Sequence, residues 1–208
     1  MALPCYTQPM KLFILIVVLL LSACKKDAQE PQIPPQEEPV KTLVARWKEP
    51  LWSQWVYDAL PGEMIAVDPK DIKDFCGNYP SSEDGRKRFW VYLVSAMAER
   101  ESGHDPKNSY KESFKDAKGR YVVSRGLLQI SIESANAYGC GFKDEQELHD
   151  PKRNLECSVK ILSRWVIRDG RIAGKESGWR GGARYWSVLR SSSSSYGKIT
   201  GWTKAYCQ

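Results

Sequence analysis

Glu101 is the side chain best placed in this sequence to do acid chemistry. It stands near the end of the stretch Phe89–Pro106, FWVYLVSAMAERESGHDP, where Leu93, Met97 and Glu101 fall four residues apart and so share one face of a helix, flanked by Trp90 and Val94. Such a face packs into a core, which points Glu101 inward. A carboxyl at the end of a buried stripe is poorly solvated. Its neutral form is favoured and its pKa rises, as a general acid working near neutral pH requires. Glu99 is expected on another face, in water. On this stretch alone, a purely structural partner for Glu101 accounts for it at least as well.

The elements that must hold this residue are mostly helical. Arg46–Leu60 carries Trp47, Leu51, Trp52, Trp55 and Val56 near helical spacing, with Pro50 marking an early turn or a start and Pro61-Gly62 the end. Asp68-Pro69 reads as the cap and first turn of a short helix running to Cys76-Gly77, and Ser81 or Ser82 can cap the central helix. Asn108–Gly126 is the least helical region. Its Asp116-Ala117-Lys118-Gly119 turn and the strand-type residues Arg120-Tyr121-Val122-Val123 predict a small hairpin. Ser131–Tyr138 predicts a short helix stopped by Gly139. Asp150-Pro151 opens the clearest helix, with Leu155, Val159, Leu162 and Val166 as its stripe and Gly170 past its end. Gly182–Arg190 and Gly201–Tyr206 read as two more short helices, and the serine run Ser191–Ser195 between them as a mobile loop.

The first part of the chain does not read as fold. Lys11 precedes the apolar run Leu12–Leu21 and then Ser22-Ala23-Cys24, the layout of an export signal and too short a run to span a bilayer comfortably. Leu21-Ser22-Ala23-Cys24 resembles the lipobox of bacterial lipoproteins, which implies that residues 1–23 are removed and Cys24 is lipidated. Residues 24–41 are rich in Pro, Gln and Glu and read as an extended tether, leaving 42–208 as one domain with one core. Lys25-Lys26 after the cysteine, rather than an acidic pair, resembles lipoproteins sorted to an outer membrane. The expected location is therefore a bacterial envelope, facing the periplasm.

Four cysteines remain beyond Cys5 and Cys24, and Cys76, Cys140, Cys157 and Cys207 in an exported domain predict two disulfides, with three pairings open. No metal or other cofactor is expected. No two of them have C-x-x-C spacing, and His104 and His149 are far apart. The net charge is +6, or +5 once Lys11 of the leader is set aside, which suits a polyanionic partner such as cell wall or a membrane surface. A nucleic-acid partner is not expected, because export removes the opportunity and no binding motif is present. A monomer is expected.

Four motifs follow one another in order: Glu101-Ser102-Gly103, then Gly126-Leu127-Leu128-Gln129-Ile130, then Leu148-His149-Asp150-Pro151 with Asn154-Leu155, then Ala183-Arg184-Tyr185. This succession, from about Ser81 to Arg190, resembles the SLT-type lytic transglycosylase domain of the goose-lysozyme branch of the lysozyme superfamily. The resemblance implies a mainly α, lysozyme-like domain acting on peptidoglycan. It implies Glu101 as a single catalytic acid, Gln129 lining the sugar cleft, Gly126 letting backbone approach the glycan, and Tyr185 hydrogen-bonding near the glutamate. Asn154 would be structural, and Ser109 is a looser match to a serine near the N-acetyl group. Read without the resemblance, Gln129 is a buried amide satisfied by backbone, and Tyr185 and Trp186 are core aromatics. Eight tryptophans fit sugar stacking and core packing alike.

The sequence also departs from that family. Leu128 stands for the usual methionine, Ile132 for a proline and Trp186 for the asparagine after Tyr185; the first conserves volume, whereas Trp186 adds a ring able to pack in the core or stack on a sugar. The segment Asn108–Val123 is longer than the usual link and brings Glu112 and Asp116. In the family one glutamate gives and then takes the proton, so no second carboxylate is needed. A hydrolase that inverts needs one roughly 6.5–9.5 Å away holding a water. Glu112 and Asp116 are the candidates for it, and otherwise are solvated hairpin charges. Three readings stand in order: transglycosylase, hydrolase with a preference for modified or deacetylated glycan, and non-catalytic glycan-binding lipoprotein.

Overall fold

The computed structural model describes residues 42–208; the expected leader, Cys24 and the tether lie outside them. Helix α4 (Glu83–Ser102) is the axis around which the rest packs. Its N-terminus is capped by Ser82, whose hydroxyl accepts from the Gly85 amide at 3.1 Å, with Glu83 and Asp84 in the first turn. From Phe89 onward it is buried nearly all round, with Phe89, Trp90, Val91, Leu93, Val94, Ala96, Met97 and Ala98 all at 1% exposure or less. Glu99 lies at the less buried end of the helix, where its side chain is 28% exposed. It pairs with the Arg46 guanidinium, which lies 3.6 Å from the centre of the Trp202 ring; the ion pair holds the Glu99 carboxyl below its ordinary range. Gly103 ends the helix in the left-handed conformation at φ +65°.

Helices α1 (Pro50–Ala59), α2 (Gly62–Ile65) and α3 (Ile72–Phe75) precede α4, and α6 (Pro151–Asp169) and α7 (Ser194–Tyr206) follow it. α1 packs on α4 and α6, and α7 packs on α3 and α4. Pro50 is the first residue of α1. The short helix after Asp68-Pro69 starts later than expected, because Asp71 turns its carboxylate to the Ile172 and Ala173 amides at 2.8 and 2.7 Å and leaves Asp68 to pair with Arg86. Asp150 caps α6, Pro151 is its first residue, and Gly170 at φ +63° closes it.

Strands β1 (Ser109–Lys115) and β2 (Tyr121–Arg125) form the expected antiparallel hairpin, with a register slip between Lys111 and Lys115. α5 (Ile132–Ala137) is the expected short helix. Two expectations are corrected. Gly182–Arg190 is not one helix but two 3₁₀ turns, Gly182–Arg184 and Ser187–Leu189. The serine run is not a loose loop: Ser193 caps α7 by accepting from the Ser195 amide at 3.2 Å, and Ser195 is inside the helix at 7% exposure. A second hairpin, β3 (Ala173–Lys175) with β4 (Trp179–Gly181), is present beside α6.

Two disulfides join Cys76 to Cys207 and Cys140 to Cys157, which settles the open pairing. The first ties the end of α3 to the end of α7. Among the described residues no helix is long and apolar enough to cross a membrane, and no group of three His, Cys, Asp or Glu side chains could hold a metal ion.

Candidate active site

A cleft of about 540 Å³ opens where the C-terminal end of α4 meets the β1–β2 hairpin. Glu101 stands in its wall. The residue is one turn past Met97 on the buried stripe, so its carboxyl emerges from the core into the cleft rather than into bulk water. No protein group among the described residues hydrogen-bonds to it. Burial, aided by the negative charge of Glu112, pushes its pKa up to about 8. The group is therefore a protonated acid at neutral pH, which is the state needed to give a proton to a leaving oxygen.

The segment carrying Gln129 is a tight loop held from behind. Arg125 and Ile130 exchange both backbone hydrogen bonds at 3.0 Å, and the four residues between them turn through Gly126 at φ +77° and Gln129 at φ +46°. Asn154, fully buried on α6, reaches across: its Oδ1 accepts from the Leu128 amide at 3.0 Å, and its Nδ2 donates to the Leu148 and Arg125 carbonyls at 2.9 and 3.1 Å. The Trp186 indole N–H donates to the Leu128 carbonyl at 2.9 Å. The Leu128 residue is thus pinned at its N–H and at its C=O. Gln129 can hold a strained left-handed conformation only because its neighbour is fixed in this way. Its Nε2 donates to the carbonyls of Gly126 and Asn108 at 2.8 and 3.2 Å, while its Oε1 is buried with no partner among the described residues.

Tyr185 also lines the cleft. Burial pushes its phenol up to about 12, against the effect of the Ser134 hydroxyl and the Ser131 backbone, so it stays a neutral hydrogen-bonding group at every working pH.

Residues 78–183 match the family model described as Transglycosylase SLT domain. The chain belongs to this family. Solved structures of DslA (Bd0314) are similar to it over 81% of this chain and 100% of theirs: the wild type in a second form at 48% identity, and two glutamate-to-glutamine mutants at 46% and 47%, each with a TM-score of 0.76. No curated protein matches. The fold is accordingly the lysozyme-like SLT domain, and the family is one of lytic transglycosylases, acting on peptidoglycan glycan.

Within this SLT domain the expected site residues divide. Glu101, Gln129, Tyr185 and Glu112 meet at the cleft; Glu112 lies on β1 and accepts from the Ser124 hydroxyl at 2.7 Å. Asp116 reaches the rim, but its carboxylate accepts from the Lys118 and Arg120 amides at 2.8 and 2.9 Å and from the Arg120 guanidinium, so it closes the hairpin turn and is not a free base. Ser109 is exposed at the foot of β1, paired with Arg125, and is not part of the cleft lining. Gly126 faces away as well. A Cβ there would lie 2.3 Å from the Leu148 carbonyl and 2.4 Å from Asn154 Nδ2, so the glycine serves close packing of the loop on α6 rather than approach of a glycan. Trp186 is 2% exposed and is the loop's clamp, not a stacking surface.

The cleft also contains residues that sequence reasoning passed over, among them Phe114, Ser124, Ser131, Glu133, Ser134 and Arg190. Val122 and Ser124 could have been found by their alternation along β2, since residues two apart share a face of a strand; on β1 the register slip between Lys111 and Lys115 breaks that pattern around Phe114. Nothing local marks Ser134 or Arg190.

Proposed function

We propose that this protein cleaves the β-1,4 bond between MurNAc and GlcNAc in peptidoglycan, with Glu101 as acid and then as base. Glu101 gives its proton to the bridging oxygen as the glycosidic bond breaks. The MurNAc C6 hydroxyl then attacks C1, and its proton returns to Glu101, leaving a 1,6-anhydro end and consuming no water. The observation that supports this reading is the Glu101 carboxyl in the cleft wall, free of hydrogen bonds from the described residues, with its pKa raised to about 8. One group can serve both steps because it begins protonated and ends protonated. Gln129 and Tyr185 would orient the sugar beside it.

A second reading has one specific support. Glu112 lines the same cleft and its charge acts on Glu101, so it is placed to hold a water for direct hydrolysis. The two DslA mutants replace glutamates eleven positions apart, the spacing of Glu101 and Glu112 in this chain. Glu112 and Glu133 in the lining would also favour a glycan bearing free amines over a fully acetylated one.

Incubation of the purified protein with normal and with deacetylated sacculi, followed by mass spectrometry of the released muropeptides, separates the two. Anhydro ends support the transglycosylase; reducing ends support hydrolysis through Glu112; release of neither contradicts both. The expected lipidation of Cys24, with residues 24–41 as tether, would place the enzyme at the envelope within reach of the wall, and Cys24→Ala should then release it from the membrane fraction.

A further inference from the structure

Three of the six exposed large apolar side chains among the described residues, Tyr110, Phe114 and Tyr121, sit on the β1–β2 hairpin. Such a concentration on one small element marks a surface that is covered in use. Tyr121 is already covered in part, since the Lys111 and Lys115 ammonium groups lie 4.2 and 5.0 Å from its ring centre. Phe114 is not: it is 58% exposed, no ring or cation stacks on it among the described residues, and it lines the cleft with Glu101 and Glu112.

The other two aromatic residues of the cleft are less open than Phe114. Trp186 is 2% exposed, and Tyr185 meets Trp186 at 4.7 Å and Tyr138 at 6.0 Å between ring centres. A sugar ring has an apolar C–H face that an aromatic plane can cover, while its hydroxyls stay with polar lining such as Ser131, Ser134 and Arg190. Glu112 and Phe114 both stand in the stretch of β1 between Lys111 and Lys115 where the register slips, and both reach the cleft.

We propose that Phe114 is a sugar-binding platform of this cleft, taking the apolar face of a hexose next to the bond that Glu101 cleaves. The proposal rests on the glycan-cleaving reading and adds to it the residue that sets how a strand is held. The hairpin then has a function beyond supplying Glu112: it carries a binding surface on the longer-than-usual link between α4 and the glutamine loop.

The test measures binding by calorimetry to soluble, peptide-free glycan strands prepared from sacculi, using E101Q so that nothing is cleaved, with F114A, F114L and F114W added to that background. F114A and F114L should each weaken binding about tenfold, and F114W should hold it near the parent value. Phe114 is exposed, so melting temperatures should stay close to the parent's; F114L keeps an apolar chain of similar size and so separates loss of the ring face from loss of hairpin packing. Binding of F114A and F114L within twofold of the parent overturns the proposal. If wild-type protein cleaves strands and F114A cleaves them with the same KM, only the Phe114 proposal fails. If E101Q binds no strand and the wild type cleaves no wall, the glycan reading fails and takes this proposal with it.

Discussion

Glu112 and Glu101 share one cleft, and the negative charge of Glu112, held on its strand by the Ser124 hydroxyl at 2.7 Å, adds to burial in keeping Glu101 protonated. The acid is thus prepared by two elements far apart in sequence. The helix desolvates it and the hairpin biases it.

That relationship predicts a shift in pH dependence. Activity that needs protonated Glu101 falls as pH rises through about 8. Replacing Glu112 by Gln removes the like charge, so the alkaline limb of kcat/KM should move to lower pH, while burial, the larger cause, keeps it above the range of an exposed glutamate. An unmoved limb in E112Q would show that the two carboxylates are not coupled.

The raised pKa also has a stability consequence. Between the ordinary carboxyl value of 4.5 and about 8 the unfolded chain ionises at this position and the folded one does not, so stability falls as pH rises through that window and levels off above it. Glu101→Gln removes the penalty. The variant should be more stable than wild type at pH 8, by on the order of a few kcal/mol, and close to it at pH 4, where the folded state and most of the unfolded chains are protonated. Equal melting at both pH values would contradict a desolvated Glu101.

The loop that positions Gln129 should be intolerant of change. Gly126→Ala drives a Cβ into the Leu148 carbonyl and Asn154 and strains φ at +77°, at a cost of about 3 kcal/mol in urea unfolding. Asn154→Ala strands two buried backbone groups, the Leu128 amide and the Leu148 carbonyl, while the Arg125 carbonyl keeps the Ile130 amide, and it should cost a similar amount. Trp186→Phe removes one hydrogen bond, from a buried carbonyl, at about 1–2 kcal/mol, and should lower activity more than stability because it frees Leu128 beside Gln129.

The disulfides differ in the loop each closes. Replacing both Cys140 and Cys157 by Ser opens a separation of 17 residues and should cost about 3 kcal/mol; replacing Cys76 and Cys207 opens one of 131 and should cost about 5. Mass analysis of the oxidised protein without reductant should find no free thiol on these four residues.

What the sequence made legible was whatever depended on local pattern. The stripe through Leu93, Met97 and Glu101, the Asp150-Pro151 start of α6 and the Asp116–Gly119 turn are each fixed by neighbours within a few residues. What it concealed depended on partners far away. Trp186 could equally pack in the core or stack on a sugar until Leu128, 58 residues earlier, accepts from its N–H. Glu112 and Asp116 look equivalent until the turn closes on Asp116 and the strand turns Glu112 to the cleft. Residues 173–175, Ala-Gly-Lys, carry no strand-type side chain; their backbone is recruited by Asp71 from about a hundred positions upstream. The serine run was a missed local signal, since serine is a strong N-cap as well as a loop residue.

The most direct test of the account is the release of soluble muropeptides from purified sacculi at pH 6 by wild-type protein and by E101Q. Wild-type protein should release them, and E101Q, still folded and still bound to the wall, should release about 10²–10⁴-fold less. Release by E101Q at the wild-type rate would contradict this, and the catalytic acid would then have to be sought elsewhere in the cleft.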